Sequence, residues 1–482
     1  MLNQLKAEFN KTQTENGAIA YRSTLSECLD LFSVCGALRN ADKAEILQKF
    51  MRAYAEDPDT AIRILFYARD IRNGLGERRF FRTILHHLAD HAPNSVQKNL
   101  SRIPEYGRYD DLLELLDTQC EEELKMYIQK QLYADLMNLW EGGNVSLLAK
   151  WLPSVNASGS REKGKKICKL LGMKEASYRT FLSLLRKRID ITETHLCQKD
   201  YTFDYENLPS KALLQYRNTF LRHDKERYEK YLCDVMENKK KMNAATLYPY
   251  ELVRNAVAAE EPSELPQLAI DAAWKSLPDY TDGRNALAVI DGSASMHHGN
   301  DKLRPIDVAV SLGLYFAERN SGEFKNHFIT FSSTPRLIEI HGSTLKEKAE
   351  YCMSYNEVAN TNLSAVFDLI LRTAIKHRLP QSEMPELIYI ISDMEFDEGV
   401  DPEKTPLEAA KANYRRYGYK LPQIVYWAVS ARNEHFPIEM NENGIAMFSG
   451  ATPTLFRHAM SCDTTPLSMM EHVLSKYDHI RA

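Results

Sequence analysis

A change of hydrophobic period near residue 284 constrains this chain of 482 residues more than any other feature. Before that point apolar residues recur three and four positions apart, as Ile62, Leu65 and Phe66 do, which is typical of amphipathic helices. One such helix cannot bury its apolar face alone, so several must pack together. We expect residues 1–283 to form an all-α domain. No fixed repeat length is visible, so an irregular solenoid of helical pairs stays open, whereas a tetratricopeptide or ankyrin array is not supported.

After residue 284 short apolar runs predict β-strands that alternate with helices. The runs are ALAVI, HFITF, ELIYIIS and QIVYWAV. Because runs rich in Ile, Val, Tyr and Phe with helices between them are typical of βαβ units, we expect a doubly wound parallel sheet covered on both faces. This predicts an α/β domain over residues 284–482.

Polar residues gather where two of these predicted strands end. Asp291, Ser293 and Ser295 follow the first strand as Asp-x-Ser-x-Ser, and Asp393 follows ELIYIIS. Thr361 precedes the predicted helix LSAVFDLIL. In parallel sheets function sits at the carboxyl ends of the strands. Two carboxylates and three hydroxyls are hard oxygen ligands, which suit Mg²⁺ or Mn²⁺ better than zinc.

This pattern resembles the metal-ion-dependent adhesion site (MIDAS) of the von Willebrand factor A family. The family motif has an Asp-x-Ser-x-Ser turn, a Thr on a second loop and an Asp on a third. Asp291, Ser293, Ser295, Thr361 and Asp393 stand in that order here. The resemblance implies that the hydroxyls bind the ion and that the carboxylates often act through water. It also implies that an acidic group of a protein partner completes the coordination.

Other interpretations of the same residues stay open. Asp291 and Asp393 can instead cap helices while the serines close a turn. A nucleophilic Ser293 is less favoured, because IDGSA is not a Gly-x-Ser-x-Gly elbow and the sequence places no His to serve it. The chain has neither a P-loop motif nor HExxH, and no base for a metal-bound water can be identified. We therefore expect no enzymatic activity.

A basic segment lies inside an otherwise acidic chain. Residues 150–250 carry 21 Lys and Arg against 12 Asp and Glu, whereas the whole chain has a net charge of −5. Clustered cations release counterions when they meet phosphates, which favours nucleic-acid binding, although a solvated helix face is the alternative. The candidate RNA-binding residues are Lys150, Lys163, Lys165, Lys166, Lys169, Arg179, Arg186, Lys187 and Arg188.

Three aromatic residues of this segment are candidates for stacking on unpaired bases: Trp151, Tyr178 and Tyr201. Core packing is the alternative for each. For Tyr178 we favour core packing, because this residue lies on an apolar stripe with Leu182 and Leu185.

A helical domain followed by a von Willebrand A domain resembles the architecture of the Ro autoantigen family, called TROVE. Five stretches are closer to its relatives in domain-of-unknown-function family 2828; they are RILFYARDIRNGLGERRFF, IPEYGRYDDLLEL, LLAKWLPSVNA, LYPYELV and IISDMEFD. The resemblance extends over most of the chain. It implies HEAT-like repeats in a ring that the adhesion-type domain closes. It also implies that small noncoding RNA, or the single-stranded end of misfolded RNA, is the ligand.

The remaining features predict a cytoplasmic protein. No apolar run reaches the ~18 residues that a membrane-spanning helix needs, so we expect no membrane partner. The N-terminal MLNQLKAEFNKTQ lacks the layout of a secretory signal. The eight cysteines are scattered without a CxxC pair, which predicts buried thiols in a reducing compartment.

Two hypotheses from different functional classes follow. The preferred one is an RNA-binding ribonucleoprotein component with a divalent-metal adhesion-type site. The alternative is a metal-dependent protein–protein interaction scaffold for which RNA is irrelevant.

Overall fold

The chain folds into a helical part and an α/β part, as the change of hydrophobic period predicts. The computed structural model describes residues 1, 5, 8–258, 264–281, 283–297, 304–355, 361–399, 403–431, 435–459 and 465–482. Helices dominate up to Lys275, and a six-stranded, mostly parallel sheet begins at Ala286. The coarse fold class is therefore confirmed, while the closed ring of HEAT-like repeats stays a prediction.

The helices of the first part form from local signals that the sequence displays. In the helix Pro58–Arg69, Asp57 is the N-cap and accepts a hydrogen bond from the Thr60 N–H at 3.2 Å. Pro58 sits in the first turn, where its missing N–H has no intrahelical partner to lose. The helices are α1 (Glu27–Val34), α2 (Lys43–Glu56), α3 (Pro58–Arg69), α4 (Arg78–His91), α5 (Pro93–Asn99), α6 (Ile103–Tyr106), α7 (Glu121–Trp140), α8 (Leu148–Trp151), α9 (Arg161–Leu170), α10 (Glu175–Arg188), α11 (Thr192–Gln198), α12 (Ser210–His223), α13 (Lys225–Met236), α14 (Pro249–Val257) and α15 (Glu264–Lys275).

The first part also contains a small antiparallel hairpin that the all-α expectation did not include. Its strands are β1 (Lys11–Gln13) and β2 (Ile19–Tyr21). Asn16 and Gly17 lie in the turn, where Gly17 has a φ of +90° that a residue with a Cβ rarely adopts. The Asn-Gly pair is a turn signal, but the preceding KTQTE is polar, so the sequence shows the turn more clearly than the two strands.

The second part is a six-stranded sheet with helices between its strands. The strands are β3 (Ala286–Asp291), β4 (His327–Phe331), β5 (Leu337–Glu339), β6 (Leu387–Ser392), β7 (Gln423–Ala428) and β8 (Ile445–Ser449), in the spatial order β5-β4-β3-β6-β7-β8. The helices are α16 (Pro305–Arg319), α17 (Leu345–Ser354), α18 (Leu363–His377), α19 (Pro406–Arg416), α20 (Leu455–His458) and α21 (Pro466–Leu474). All four predicted strands are present.

Strand β5 pairs antiparallel with β4 at the edge of the six-stranded sheet, and all other strand pairs of that sheet are parallel. Strands β5 and β8 were not predicted. The chain moves from β3 to β4 on one side and later to β6 on the other side of β3. The strand order therefore reverses between β3 and β6, and ligands of open α/β sheets bind at such a point.

Each end of the chain packs against the opposite part of the molecule. In the N-terminal hairpin, Gly17 forms a β-bridge with Asp397 of the α/β part. At the other end Ile480 is buried, and the Ala482 N–H donates to Asp59 Oδ1 of helix α3 at 2.8 Å. The buried apolar side chains of the two parts form one continuous core.

The cysteine prediction is only partly correct. Cys28, Cys35, Cys120, Cys168 and Cys352 are buried, but Cys197 and Cys233 are exposed, and Cys462 lies outside the described residues. Within the part of the chain that the structure describes, no helix combines the length and the apolar character needed to cross a bilayer.

Candidate functional site

Two neighbouring strand ends bring the first predicted site residues together. Strands β3 and β6 pair in parallel and are buried along their whole length, so Asp291 and Ser392 end at the same edge of the sheet. Asp291 Oδ2 accepts a hydrogen bond from the Ser392 hydroxyl, and its Oδ1 accepts one from the Ser293 N–H at 2.9 Å. Ser293 Oγ and Ser295 Oγ lie 2.9 Å apart. The Asp-x-Ser-x-Ser turn thus presents both hydroxyls above a buried carboxylate.

Asp291 lies in an environment that disfavours its negative charge. The residue is fully buried, and burial together with the charge of Asp393 raises the pKa of Asp291 to about 7, against the lowering effect of hydrogen bonds from Ser392 and Ser293. Asp393 directly follows β6, and β6 is the parallel neighbour of β3, which ends at Asp291. The two carboxylates therefore belong to adjacent strand ends. Two carboxylates therefore repel each other across the β3–β6 crevice.

The turn after β6 has an unusual backbone conformation. Met394 has a φ of +69°, in the left-handed region that residues other than glycine seldom occupy. Its N–H is held by Ser392 Oγ at 3.0 Å, and the Glu395 N–H donates to Asp393 Oδ1 at 3.3 Å. A residue in this conformation persists only where surrounding contacts hold it in place. Such strained residues cluster at active sites and ligand-binding sites.

Thr361 is tied to the same turn. Its hydroxyl is buried and donates to the Glu395 carbonyl, and it also lies 3.3 Å from Asp397 Oδ1. Thr361 therefore contacts the turn that carries Asp393. Its neighbour Asn360, which also belongs to the predicted Thr361 loop, lies outside the described residues.

The N-terminal hairpin also contacts this site, which sequence reasoning missed. Asn16 Nδ2 donates to Thr361 Oγ1 at 3.1 Å and to the Glu395 carbonyl at 2.8 Å. Thr14 Oγ1 donates to the Phe396 carbonyl at 2.6 Å. The Asn-Gly pair predicts the turn itself. No local signal indicates that the turn packs against residues more than 340 positions later in the chain.

Further unpredicted polar groups surround the turn. Glu395 Oε1 lies 2.9 Å from His435 Nε2, and both side chains are almost completely buried. Glu395 Oε2 accepts a hydrogen bond from the Glu15 N–H at 2.8 Å. Ser392, which donates to Asp291, was also not predicted. It stands directly before Asp393 in the sequence, so its place at the site could have been inferred from the strand end.

The donor set fits a hard divalent cation better than a soft one. In the described residues no cluster of three or more His, Cys, Asp or Glu side chains is arranged for a metal ion. An ion here would therefore depend on Asp291 and Asp393 together with hydroxyl and water oxygens, which is Mg²⁺ or Mn²⁺ chemistry. A cation would also offset the repulsion between the two carboxylates.

The predicted RNA-binding cations differ in what their charges do. Arg186 donates to the carbonyls of Ala149 and Leu152 and to Ser154 Oγ at 2.7–2.8 Å, so its guanidinium is committed to the protein. Arg188 donates to the carbonyls of Gly142 and Gly143. These two residues fix loops.

Three further cations of the set face carboxylates. Lys150 lies 3.8 Å from Glu193, Lys165 lies 3.9 Å from Glu175, and Lys166 pairs with Asp117. Arg179 donates to Asn156 Oδ1 at 3.3 Å. The remaining three, Lys163, Lys169 and Lys187, are exposed and have no ion-pair partner among the described residues.

The aromatic candidates are less available for stacking on bases. Tyr178 is buried and its hydroxyl donates to the Pro153 carbonyl at 3.0 Å, as core packing predicts. The guanidinium of Arg108 covers Trp151 at 4.2 Å from the ring centroid. Tyr201 is half-buried beside His223, with ring centroids 6.1 Å apart.

Comparison with known proteins finds relatives of both parts. The family model described as Domain of unknown function (DUF2828) matches residues 14–138 and 161–281. The model described as Domain of unknown function (DUF7788) matches residues 285–478. The uncharacterized protein L728 of Acanthamoeba polyphaga mimivirus is 29% identical over 509 residues, which cover 97% of this chain and 88% of that protein.

Solved structures give weaker similarities. The Ro (RSR) protein of Deinococcus radiodurans aligns with a TM-score of 0.37 and 14% identity, covering 90% of this chain and 93% of that one. Proximal thread matrix protein 1 of the mussel byssus, solved with a zinc-occupied MIDAS motif, aligns with a TM-score of 0.22 and 15% identity, covering 45% and 51%. Both scores are too low to support an argument about this chain.

Proposed function

This chain belongs to the family described as Domain of unknown function (DUF2828), whose model matches just over half of it, and on that premise we propose that it is an RNA-binding ribonucleoprotein component. RNA binds to the basic helical segment, and a divalent cation binds at the β3–β6 crevice. The protein performs no covalent chemistry. The resemblance of the domain order to that of TROVE proteins supports the choice of RNA over other polyanions.

One observation carries the RNA proposal. Lys163, Lys169 and Lys187 are exposed and have no ion-pair partner among the described residues, in a segment with a net charge of +9 inside an acidic chain. Of the nine candidate cations, the other six are paired with carboxylates or donate to protein oxygens. Cations without partners keep their full attraction for phosphates, and this attraction is the main source of sequence-independent nucleic-acid affinity.

Replacing Lys163, Lys169 and Lys187 together with Glu is expected to weaken RNA binding by roughly 100-fold at low salt, because three phosphate contacts become repulsive. The slope of log affinity against log salt should become shallower by about 2, since each contact to a single strand contributes ~0.7. Fluorescence anisotropy with a labelled single-stranded RNA over a salt series measures both quantities.

The matched control changes three exposed lysines outside the basic segment, Lys43, Lys130 and Lys376, to Glu. It alters the net charge of the protein by the same amount. If both triple variants lose affinity equally, the effect comes from overall charge, and the assignment to the basic segment fails.

The metal site is proposed from the chemistry of its own side chains. Asp291, Ser293, Ser295 and Asp393 supply hard oxygen atoms, and Thr361 is held against the Asp393 turn by Glu395 and Asn16. When bound, Mg²⁺ or Mn²⁺ would neutralise the paired carboxylates. Ser293 is buried and Ser295 is half-buried, so of the two hydroxyl-bearing residues of the turn Ser295 is the more exposed.

Replacing Asp393 with Asn is expected to abolish stabilisation of the protein by Mg²⁺ or Mn²⁺. For the unaltered protein this stabilisation should reach ~2.7 kcal/mol at a cation concentration 100 times the Kd. In chelator the variant should be at least as stable as the unaltered protein, because one of two repelling buried charges is gone. Calorimetric unfolding with cation and with chelator measures the difference.

Asp368→Asn on helix α18 is the matched control, since Asp368 pairs with exposed Arg372 away from the crevice. Undiminished Mn²⁺ binding by Asp393→Asn, measured by electron paramagnetic resonance, would remove Asp393 from the site.

A metal-dependent protein scaffold is the second candidate, favoured by the partial exposure of Ser295 and its exposed neighbour Ala294 at the site. It predicts that the unaltered protein binds cation but shows no affinity for RNA at any salt concentration. RNA binding that persists unchanged in chelator would instead separate the two activities and leave RNA as the ligand of the helical part.

A further inference from the structure

A groove of about 660 Å³ lies between the loop before helix α9 and the outer side of helix α10. Its lining combines apolar surface with polar side chains, which include Asn156 from the loop and Arg179, Ser183 and Lys187 from α10. The last three are spaced four residues apart, so they form one row along the helix. All four are exposed.

The loop that forms the other wall is held in place from several directions. Arg186 binds the carbonyls of Ala149 and Leu152 and the Ser154 hydroxyl. The hydroxyl of buried Tyr178 donates to the Pro153 carbonyl. Since the two anchoring side chains lie on α10, the loop and the helix that form the groove are fixed relative to each other.

Helix α9 supports the same loop from another side. Gly164 is buried in that helix, and a Cβ at this position would lie 3.1 Å from backbone atoms of Ser154 and Val155. Glycine thus lets the loop approach α9 closely. The anchored residues Leu152, Pro153 and Val155 are buried, and the loop becomes exposed at Asn156. Loops positioned in this way by a rigid scaffold commonly carry binding residues.

Asn156, at the end of this loop, has a defined orientation. Its Oδ1 accepts the hydrogen bond from Arg179, and a guanidinium can only donate, so Nδ2 must be the other end of the amide. Nδ2 has no acceptor among the described residues. The side chain therefore presents two N–H donors at the edge of a groove lined by cations.

We propose that this groove binds unpaired nucleotides of RNA, with Arg179 and Lys187 contacting phosphates and Asn156 Nδ2 donating to an acceptor on a base edge. The inference rests on the proposed RNA-binding function and assigns it a position. Base edges are open to side chains in single strands, whereas the deep major groove of an RNA duplex hides them. Asn156 would then contribute base preference, and the cations would contribute salt-dependent affinity.

The test compares Asn156→Ala with the unaltered protein on labelled 12-nucleotide homopolymers of A, C and U and on a fully paired RNA duplex, by fluorescence anisotropy at several salt concentrations. We expect Asn156→Ala to bind the preferred homopolymer about tenfold more weakly, which is the size of one lost base contact. Its affinity for the duplex and its salt slope should not change. Lys187→Glu should instead weaken all RNAs and lower the slope.

Asn144→Ala, an exposed residue of a neighbouring loop, is the matched control and should bind every RNA as the unaltered protein does. Equal affinities of Asn156→Ala and the unaltered protein, or equal losses on all four RNAs, would overturn the inference while leaving RNA binding in place. Absence of RNA binding by the unaltered protein would overturn the proposed function itself.

Discussion

Replacing Asp111 with Ala is expected to lower the free energy of unfolding by about 3–5 kcal/mol. Asp111 is completely buried, and its Oδ2 accepts from Arg69 Nε at 2.8 Å while its Oδ1 accepts from Arg82 Nε at 2.6 Å. Arg69 is only 2% exposed, so loss of the carboxylate leaves a buried cation without its partner. Urea unfolding followed by circular dichroism measures the change.

The backbone around Asp111 supports this large effect. The Arg108 N–H donates to Asp111 Oδ2 at 2.9 Å, and a Cβ at Gly107 would lie 2.3 Å from the same oxygen. The stretches RDIRNG and YGRYDD, far apart in the sequence, therefore meet at one buried charge.

Two comparison variants distinguish the loss of the buried ion pair from a nonspecific loss of stability. Asp110→Ala should cost less than about 1 kcal/mol, because Asp110 is partly exposed in its pairs with Arg82 and Arg108. Combining Arg69→Met with Asp111→Leu should restore part of the lost stability, because no unpaired cation is then buried at position 69. The recovery stays incomplete because Arg82 Nε and the Arg108 N–H still lose their acceptor. A double variant that is less stable than Asp111→Ala would contradict the buried-charge explanation.

Replacing Tyr477 with Ala is expected to cost about 3–5 kcal/mol and to loosen the contact between the two parts of the chain. Tyr477 follows helix α21 and is 2% exposed. Its ring packs against Tyr106 and Tyr67, with centroids 5.4 and 6.2 Å away, and its hydroxyl donates to buried Asp70 at 2.9 Å. Burial and the charge of Asp70 raise the pKa of Tyr477, which keeps this donor protonated.

Tyr477→Phe keeps the ring and removes only the hydrogen bond, so it should cost about 1–3 kcal/mol, the penalty for a buried carboxylate that loses a donor. Hydrogen exchange should also speed up in α3 for the Ala variant, because α3 ends at Arg69, next to Asp70. If Tyr477→Ala unfolds the α/β part alone, with exchange in α3 unchanged, the residue does not join the two parts.

Much of the fold could be predicted from short-range patterns. Asp57 and Pro58 mark the start of α3, and the apolar runs of β3, β4, β6 and β7 are visible as strands. Strand β8 was missed although IAMFS is as long as the predicted strand HFITF, because no helix precedes it among the described residues to mark a βαβ unit. The hairpin at Asn16-Gly17 was missed although its turn signal is present in the sequence.

The candidate site could be predicted in part for a similar reason. Asp291 and Asp393 each follow an apolar strand, and parallel strands end at the same edge, so the two carboxylates meet when their strands are neighbours. Asn16, Glu395 and His435 could not be found this way, because their contacts join segments that are distant in sequence. Their roles depend on how the hairpin packs on the finished sheet.

The sequence by itself determined the two structural classes, the order of the site residues and the location of the basic segment, since these follow from local period and composition. Only the tertiary structure decided which cations are available to a ligand. Arg186 and Lys187 are neighbours in the chain, yet one binds three protein oxygens and the other faces solvent, because a helix points adjacent side chains about 100° apart. Which charged side chains find a partner in the protein depends on tertiary packing, and a local sequence pattern does not predict it.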